Sequence, residues 1–225
     1  MSPTRKNWIL GSFAAALGGY TLALLLFEWR TSQEAVRFFF QDIYGDTLLK
    51  GLNTTICVAF LWGACLLFGV TAWCCRQRSG QEREGLFAIS QVLVFFYLAC
   101  DDRFQIHERI GRQLGVEDAY ILVGVGLIEV LLLWRLGGFG RRAVTQRRTV
   151  LLAGGLFAAM AFVDAVLPSG LRLRLSVEDL LKTWSCAALL LFAWQTCRTQ
   201  IAALASAARP QAANPVLITQ RAASR

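Results

Sequence analysis

The chain of 225 residues contains a single histidine, His107. That scarcity excludes bis-histidine haem, a three-histidine zinc centre and the two-histidine helix of zinc proteases, so no haem is expected. Charge is scarce too: charged residues make up 17% and hydrophobic ones 56%. Against the roughly 25% charge of an average soluble domain, this excludes a soluble globular domain and a disordered chain. Only four prolines are present, which excludes collagen-like architecture. The seven cysteines form no C-x-x-C pair and no zinc or cluster spacing. They lie in or at the ends of apolar runs, where cysteine serves as small filler, and adjacent Cys74 and Cys75 speak against a disulfide framework. No basic stretch is interleaved with stacking aromatics, so nucleic acid is not an expected partner.

What the sequence has is long apolar runs. Crossing a bilayer takes about 20 mostly apolar residues. Six segments qualify, at 8–27, 54–74, 86–105, 119–138, 149–168 and 179–198. The first follows Arg5 and Lys6 and reads as a retained signal anchor, because five more spans follow it. Residues 31–50 mix aromatics with charges and suit an amphipathic helix lying in the outer interface. The expected fold is an all-α polytopic membrane bundle over 1–198, followed by a disordered cytoplasmic tail over 199–225. Leu171 to Leu175 alternates and suits a short extended piece. Small residues four apart, at Gly11, Ala15 and Gly19, at Gly154 and Ala158, and at Gly155 and Ala159, signal close helix packing.

Orientation follows the basic flanks. With the N-terminus inside, fourteen Lys and Arg flank the inner ends of the spans and eight the outer ends. Both termini are therefore expected in the cytoplasm, in a multi-pass protein of a cell membrane of the bacterial inner-membrane type. Eleven of the fifteen acids fall on the outer side, so a basic inner face lies beneath an acidic outer one. The lipid bilayer is the first partner this implies.

The chemistry-bearing stretch is Asp101-Asp102-Arg103-Phe104-Gln105-Ile106-His107-Glu108. On a continuous helix, at about 100° per residue, Ser90, Val94, Tyr97, Gln105, Glu108 and Arg112 share the face of Asp101. Asp102 groups with Arg109, and His107 with Arg103. His107 therefore joins Asp101 only if the helix breaks. Glu129 lies near the middle of its span, where a carboxyl group needs a partner, a proton or a function. Asp164 sits close below the outer end of the fifth span, within reach of Arg172. At the sixth, Ser176 reads as N-cap with Asp179 at N3, and Glu178 to Lys182 is the favourable ion-pair order.

Asp101, His107, Glu108, Asp164, Glu178 and Asp179 thus occupy one depth. Carboxylates converging with one imidazole suit a divalent metal ion that activates water. The arrangement resembles the alkaline-ceramidase-like intramembrane hydrolases, seven-span proteins that hold zinc with an Asp and several His. This chain has one His and six candidate spans. Three functions follow. The first is a metal-dependent hydrolase of a lipid-like substrate, with Asp101, His107, Glu108 and Asp164 as ligands or acid/base groups. The second is a proton- or cation-coupled transporter in which Glu129 and Asp164 titrate. The third is a non-catalytic subunit or assembly factor whose acids, Asp102 among them, pair with cations here or on a partner protein.

Overall fold

The computed structural model describes residues 3–40, 51–116, 118–168 and 171–207. Among them there is no strand. The helices are α1 (Pro3–Arg30), α2 (Gln33–Phe40), α3 (Leu52–Arg76), α4 (Glu82–Phe104), α5 (Ile106–Leu114), α6 (Asp118–Arg135), α7 (Val144–Val166) and α8 (Arg174–Ala207). A single 3₁₀ turn, Phe139–Arg141, precedes α7.

Each of the six apolar segments falls mainly on one helix, with 86–105, 119–138 and 149–168 running one to three residues past the ends of α4, α6 and α7. Four are long and apolar enough to cross a membrane: Gly11–Arg30, Leu52–Arg76, Glu82–Phe104 and Val144–Val166. α6 and α8 are not among these four. α6 has 18 residues, Asp118, Glu129 and Arg135 among them. α8 is longer, and it buries the polar Thr183, Ser185 and Thr196. Of the expected outer amphipathic segment, residues 33–40 form α2, with the Ser32 hydroxyl accepting the Ala35 N–H at 3.2 Å as an N-cap does. Residues 41–50 lie outside the described part. α8 runs on to Ala207, past the expected start of the tail at 199; residues 208–225 are outside the described part.

Helices α3, α4, α7 and α8 form the packed centre, with α3 against α4 and α8, and α7 against α8. Phe68 is its hub. The ring stacks on Phe95 at 5.6 Å and meets Phe87 and Phe192 at 5.9 Å. Cys57, Ala64, Ala88, Ala99 and Ala193 fill the spaces between, small enough to let backbones approach. At Gly63 a Cβ would stand 3.0 Å from Leu190 Cδ1, so α3 and α8 cross closely there and a larger residue would make the leucine side chain shift. The expected small-residue stripes do not work this way. A Cβ added at Gly11, Gly19, Gly154 or Gly155 meets no described atom within 4 Å. Those stripes face outward from the chain.

Polarity is arranged inside out. Trp8, Leu66, Leu93, Leu127 and Leu151 are exposed, while Asn53, Thr71, Gln91 and Thr183 are buried. A bilayer accounts for both halves: it solvates the apolar exterior, and the buried polar groups must bond one another. Thr183 donates to Asn53 Oδ1 at 2.7 Å, and Asn53 Nδ2 donates to the Asp179 carbonyl at 3.3 Å. Trp184 Nε1 donates to the Thr21 hydroxyl at 2.9 Å, tying α8 to α1.

Candidate functional site

The third apolar helix breaks where the chemistry begins. Gln105 has φ 53° and ψ 46°, ending α4 and starting α5. A left-handed conformation is unfavourable for any residue with a Cβ, by roughly 1–2 kcal/mol, so neighbouring bonds must hold it. Asp101 supplies them. Its Oδ1 accepts the His107 backbone N–H at 2.7 Å, in place of an N-cap side chain for α5. Its Oδ2 lies 2.7 Å from His107 Nδ1. The Gln105 N–H returns to the Asp101 carbonyl at 2.8 Å. Gly115, at φ 68°, closes the other end of α5.

Asp101 is 3% exposed, and the imidazole it holds lines a cavity of about 360 Å³. The walls come from α3 to α8. At one end they carry Asp101, Asp102, His107, Glu108, Asp164, Glu178, Asp179 and Lys182. Deeper walls are apolar, with Leu61, Leu98, Leu122, Phe157, Met160 and Leu189. The expected outer-side residues are thus gathered in one place. Glu129 is not among them. It accepts a hydrogen bond from Gln91 Nε2 at 2.9 Å, between α4 and α6.

The pairings differ from those the local sequence suggests. Lys182 does not reach back to Glu178; it forms an ion pair with Asp102 across α8 and α4. Glu178 meets Arg174 instead, at 3.7 Å. Arg174, not Arg172, pairs with Asp164, at 2.9 Å. Arg172 instead stacks over Trp29 at 4.6 Å and donates to the Trp29 carbonyl. Ser176 is not an N-cap, because α8 already begins at Arg174 and buries Ser176 in its first turn. Residues 171–173 form a bend and turn rather than an extended piece. The reason lies in α1: the fully buried Glu28 accepts the Leu173 N–H at 2.9 Å, where Leu173 has φ 66°. Glu28 and Gln91 are the two residues that local pattern reading missed. For Gln91 the signal was a primary amide in the middle of an apolar span.

Six carboxylates line the cavity against one lysine. Arg174 offsets two of them through its pairs with Asp164 and Glu178. Asp179 senses the charges of Lys182, Glu178, Asp102 and Asp164, so these five form one electrostatic group. Asp102 Oδ2 is buried and has no hydrogen-bond partner among the described residues. The proposed metal ligands are not arranged as a ligand set: among the described residues, no three of His, Cys, Asp or Glu are placed to hold a metal ion. Asp101 spends both oxygens on His107, and Asp164 is engaged by Arg174.

Fold and site together define a helical, multi-pass type of bundle with a charged cavity at one end. The chain belongs to the DUF8692 family, described as a domain of unknown function, which its residues 14–196 match. No curated protein and no solved structure matches it.

Proposed function

We propose that this chain is a membrane-embedded enzyme that hydrolyses an amphiphilic substrate, with His107 as general base and Asp101 as its positioning group. The observation that carries this reading is the pair of hydrogen bonds by which one buried carboxylate accepts from His107, from its backbone N–H and its Nδ1, at a cavity wall. With Nδ1–H held by Asp101, the lone pair of the neutral ring is on Nε2. Nε2 takes a proton from water as the water oxygen bonds to a substrate carbonyl carbon. When the ester or amide bond breaks, the leaving group takes that proton back from Nε2. Asp101 stabilises the imidazolium formed between the two steps. Lys182 is the lining cation suited to meet the developing oxyanion.

The apolar depth of the cavity, through Leu98, Phe157 and Met160, suits the hydrocarbon part of the substrate. A titrating transporter has less support, because Glu129 is satisfied by Gln91 away from the acids. In the bilayer we place all six long helices as spans, with both termini cytoplasmic and the acidic cavity opening outward. This rests on the basic flanks of the inner ends.

The test is turnover of a panel of chromogenic long-chain esters and amides by the full chain in mild detergent. His107→Gln is expected to lower kcat by about 10²–10⁴-fold with the fold retained. Unchanged turnover in that variant, or none in the wild type across the panel, would leave the acids with the structural role of paired charges in a subunit.

A further inference from the structure

The opposite end of the bundle holds a second cavity, of about 340 Å³, between the α3–α4 turn, the α6–α7 connection and the far half of α8. Its walls include Arg83, Glu84, Arg142, Gln146, Thr196 and Gln200. The Arg142 side chain is 7% exposed and sits against two rings, 4.5 Å from the Phe87 centroid and 5.6 Å from that of Phe192. Nη2 donates to Glu84 at 2.9 Å. Its Nε–H is buried and has no acceptor among the described residues. Thr196 is 1% exposed, and its hydroxyl likewise has no partner there.

Two buried groups on the wall of one cavity therefore hold unused donors, a guanidinium N–H and a hydroxyl. Buried donors left unpaired are costly, so an acceptor is the group that completes them. Arg83 lines the same space and adds a cation, while Arg78 stands beside it, donating to Gln200 at 3.2 Å. Glu84 is the acid on these walls, and Arg142 already engages it. Arg76, Arg135, Arg147 and Arg148 lie at this end of α3, α6 and α7, so the surrounding field is positive. A phosphate fits these requirements: it is an anion with several acceptor oxygens, able to take the Arg142 N–H and the Thr196 hydroxyl together.

We propose that this cavity binds a phosphate group, supplied by the head group of an anionic lipid. Lipid phosphates lie at the depth of the basic end of a bundle oriented as its arginines require. The site is separate from the acidic cavity and does not depend on the catalytic reading.

The experiment is thermal unfolding of the delipidated full chain in mild detergent, titrated with phosphatidylglycerol, phosphatidylcholine or inorganic phosphate. Phosphatidylglycerol is expected to protect saturably and phosphatidylcholine not to. Thr196→Val and Arg83→Gln should each weaken that protection about tenfold, and Arg148→Gln, outside the cavity, should leave it unchanged. Without ligand, Thr196→Val should be at least as stable as the wild type, which separates loss of binding from loss of fold. Saturable protection by inorganic phosphate with the same variant pattern would uphold the phosphate site and assign it to a soluble source. Equal protection by the two lipids, wild-type behaviour of Thr196→Val and Arg83→Gln, or equal weakening by Arg148→Gln would each overturn the proposal.

Discussion

Asp101 and His107 are joined twice, Oδ1 to the His107 backbone N–H and Oδ2 to the ring Nδ1, each at 2.7 Å. One carboxylate therefore starts a helix and orients an imidazole. The two functions separate in Asp101→Asn. The amide oxygen still accepts the backbone N–H, but the neutral group no longer stabilises an imidazolium. We expect kcat to fall by about 10²–10⁴-fold with stability lowered by only about 1–2 kcal/mol. Asp101→Ala should lose the start of α5 as well. A thermal melt beside a turnover assay distinguishes the two, and an Asp101→Asn variant with full turnover would remove Asp101 from the mechanism.

The break at Gln105 makes its own prediction. With φ at 53°, Gln105→Gly removes the Cβ that disfavours this conformation and should be neutral to about 1 kcal/mol stabilising. Gln105→Val puts a β-branched residue there and should cost more than about 1 kcal/mol. Turnover should follow the helix break, so the valine variant should also be the less active. If valine and glycine melt alike, α4 and α5 do not depend on this kink.

Much of the bundle was legible because apolar runs report on bilayer-facing and core-facing positions alike. Each of the six expected segments falls mainly on one helix. Helical spacing also placed the acids at one depth, and the cavity gathers them. It failed wherever a tertiary partner outcompeted a local one. Lys182 has a favourable Glu178 one turn away, yet the neighbouring helix offers the more buried Asp102. Nothing about glutamine marks a left-handed residue, so the turn that brings His107 to Asp101 had no sequence signal beyond the expectation that a break would be needed. Glu28 looked like one more acid on the outer side, because its acceptor role depends on the Leu173 N–H arriving from 145 residues away.

The pair of Asp102 and Lys182 crosses between α4 and α8 in the cavity wall. Lys182→Met should leave the Asp102 carboxylate without compensation and cost about 3 kcal/mol. Adding Asp102→Asn to that variant should recover most of the loss. A double-mutant cycle read by denaturant or thermal unfolding measures the coupling. Additive losses would mean that the two charges do not depend on each other.

Glu129 and Gln91 make a contrasting pair, because one partner is a neutral amide. Glu129→Gln keeps an oxygen that accepts the Gln91 N–H, so it should alter stability by less than about 1 kcal/mol and leave turnover unchanged. Glu129→Leu strands the Gln91 donor in a fully buried position and should cost about 1–3 kcal/mol. A Glu129→Gln variant that folds normally but loses a cellular phenotype would restore the titrating-transporter reading. In that reading the residue must release a proton, and glutamine has none to release.

The orientation of the bundle is open to direct measurement. Arg83 stands at the basic end, next to the α3–α4 turn, and Arg112 is in α5 beside the acidic cavity. α4 is long and apolar enough to separate them by a bilayer. In a variant with the native cysteines replaced, single cysteines at Arg83 and Arg112 should react with a membrane-impermeant maleimide from opposite sides. With the termini cytoplasmic, the cysteine at 112 should label in intact cells and the one at 83 only after permeabilisation. The span count needs a second pair, since α6 and α8 are not among the four helices long and apolar enough to cross. A cysteine at the exposed Leu114 should label from the same side as 112, and one at Arg148 from the same side as 83. That pattern requires α6 to cross, because it is the helix between Leu114 and the start of α7. Labelling of 114 and 148 from one side would take α6 out of the membrane. The acidic cavity would then be walled on that flank by a helix lying at the surface, and substrate would enter from water rather than from lipid.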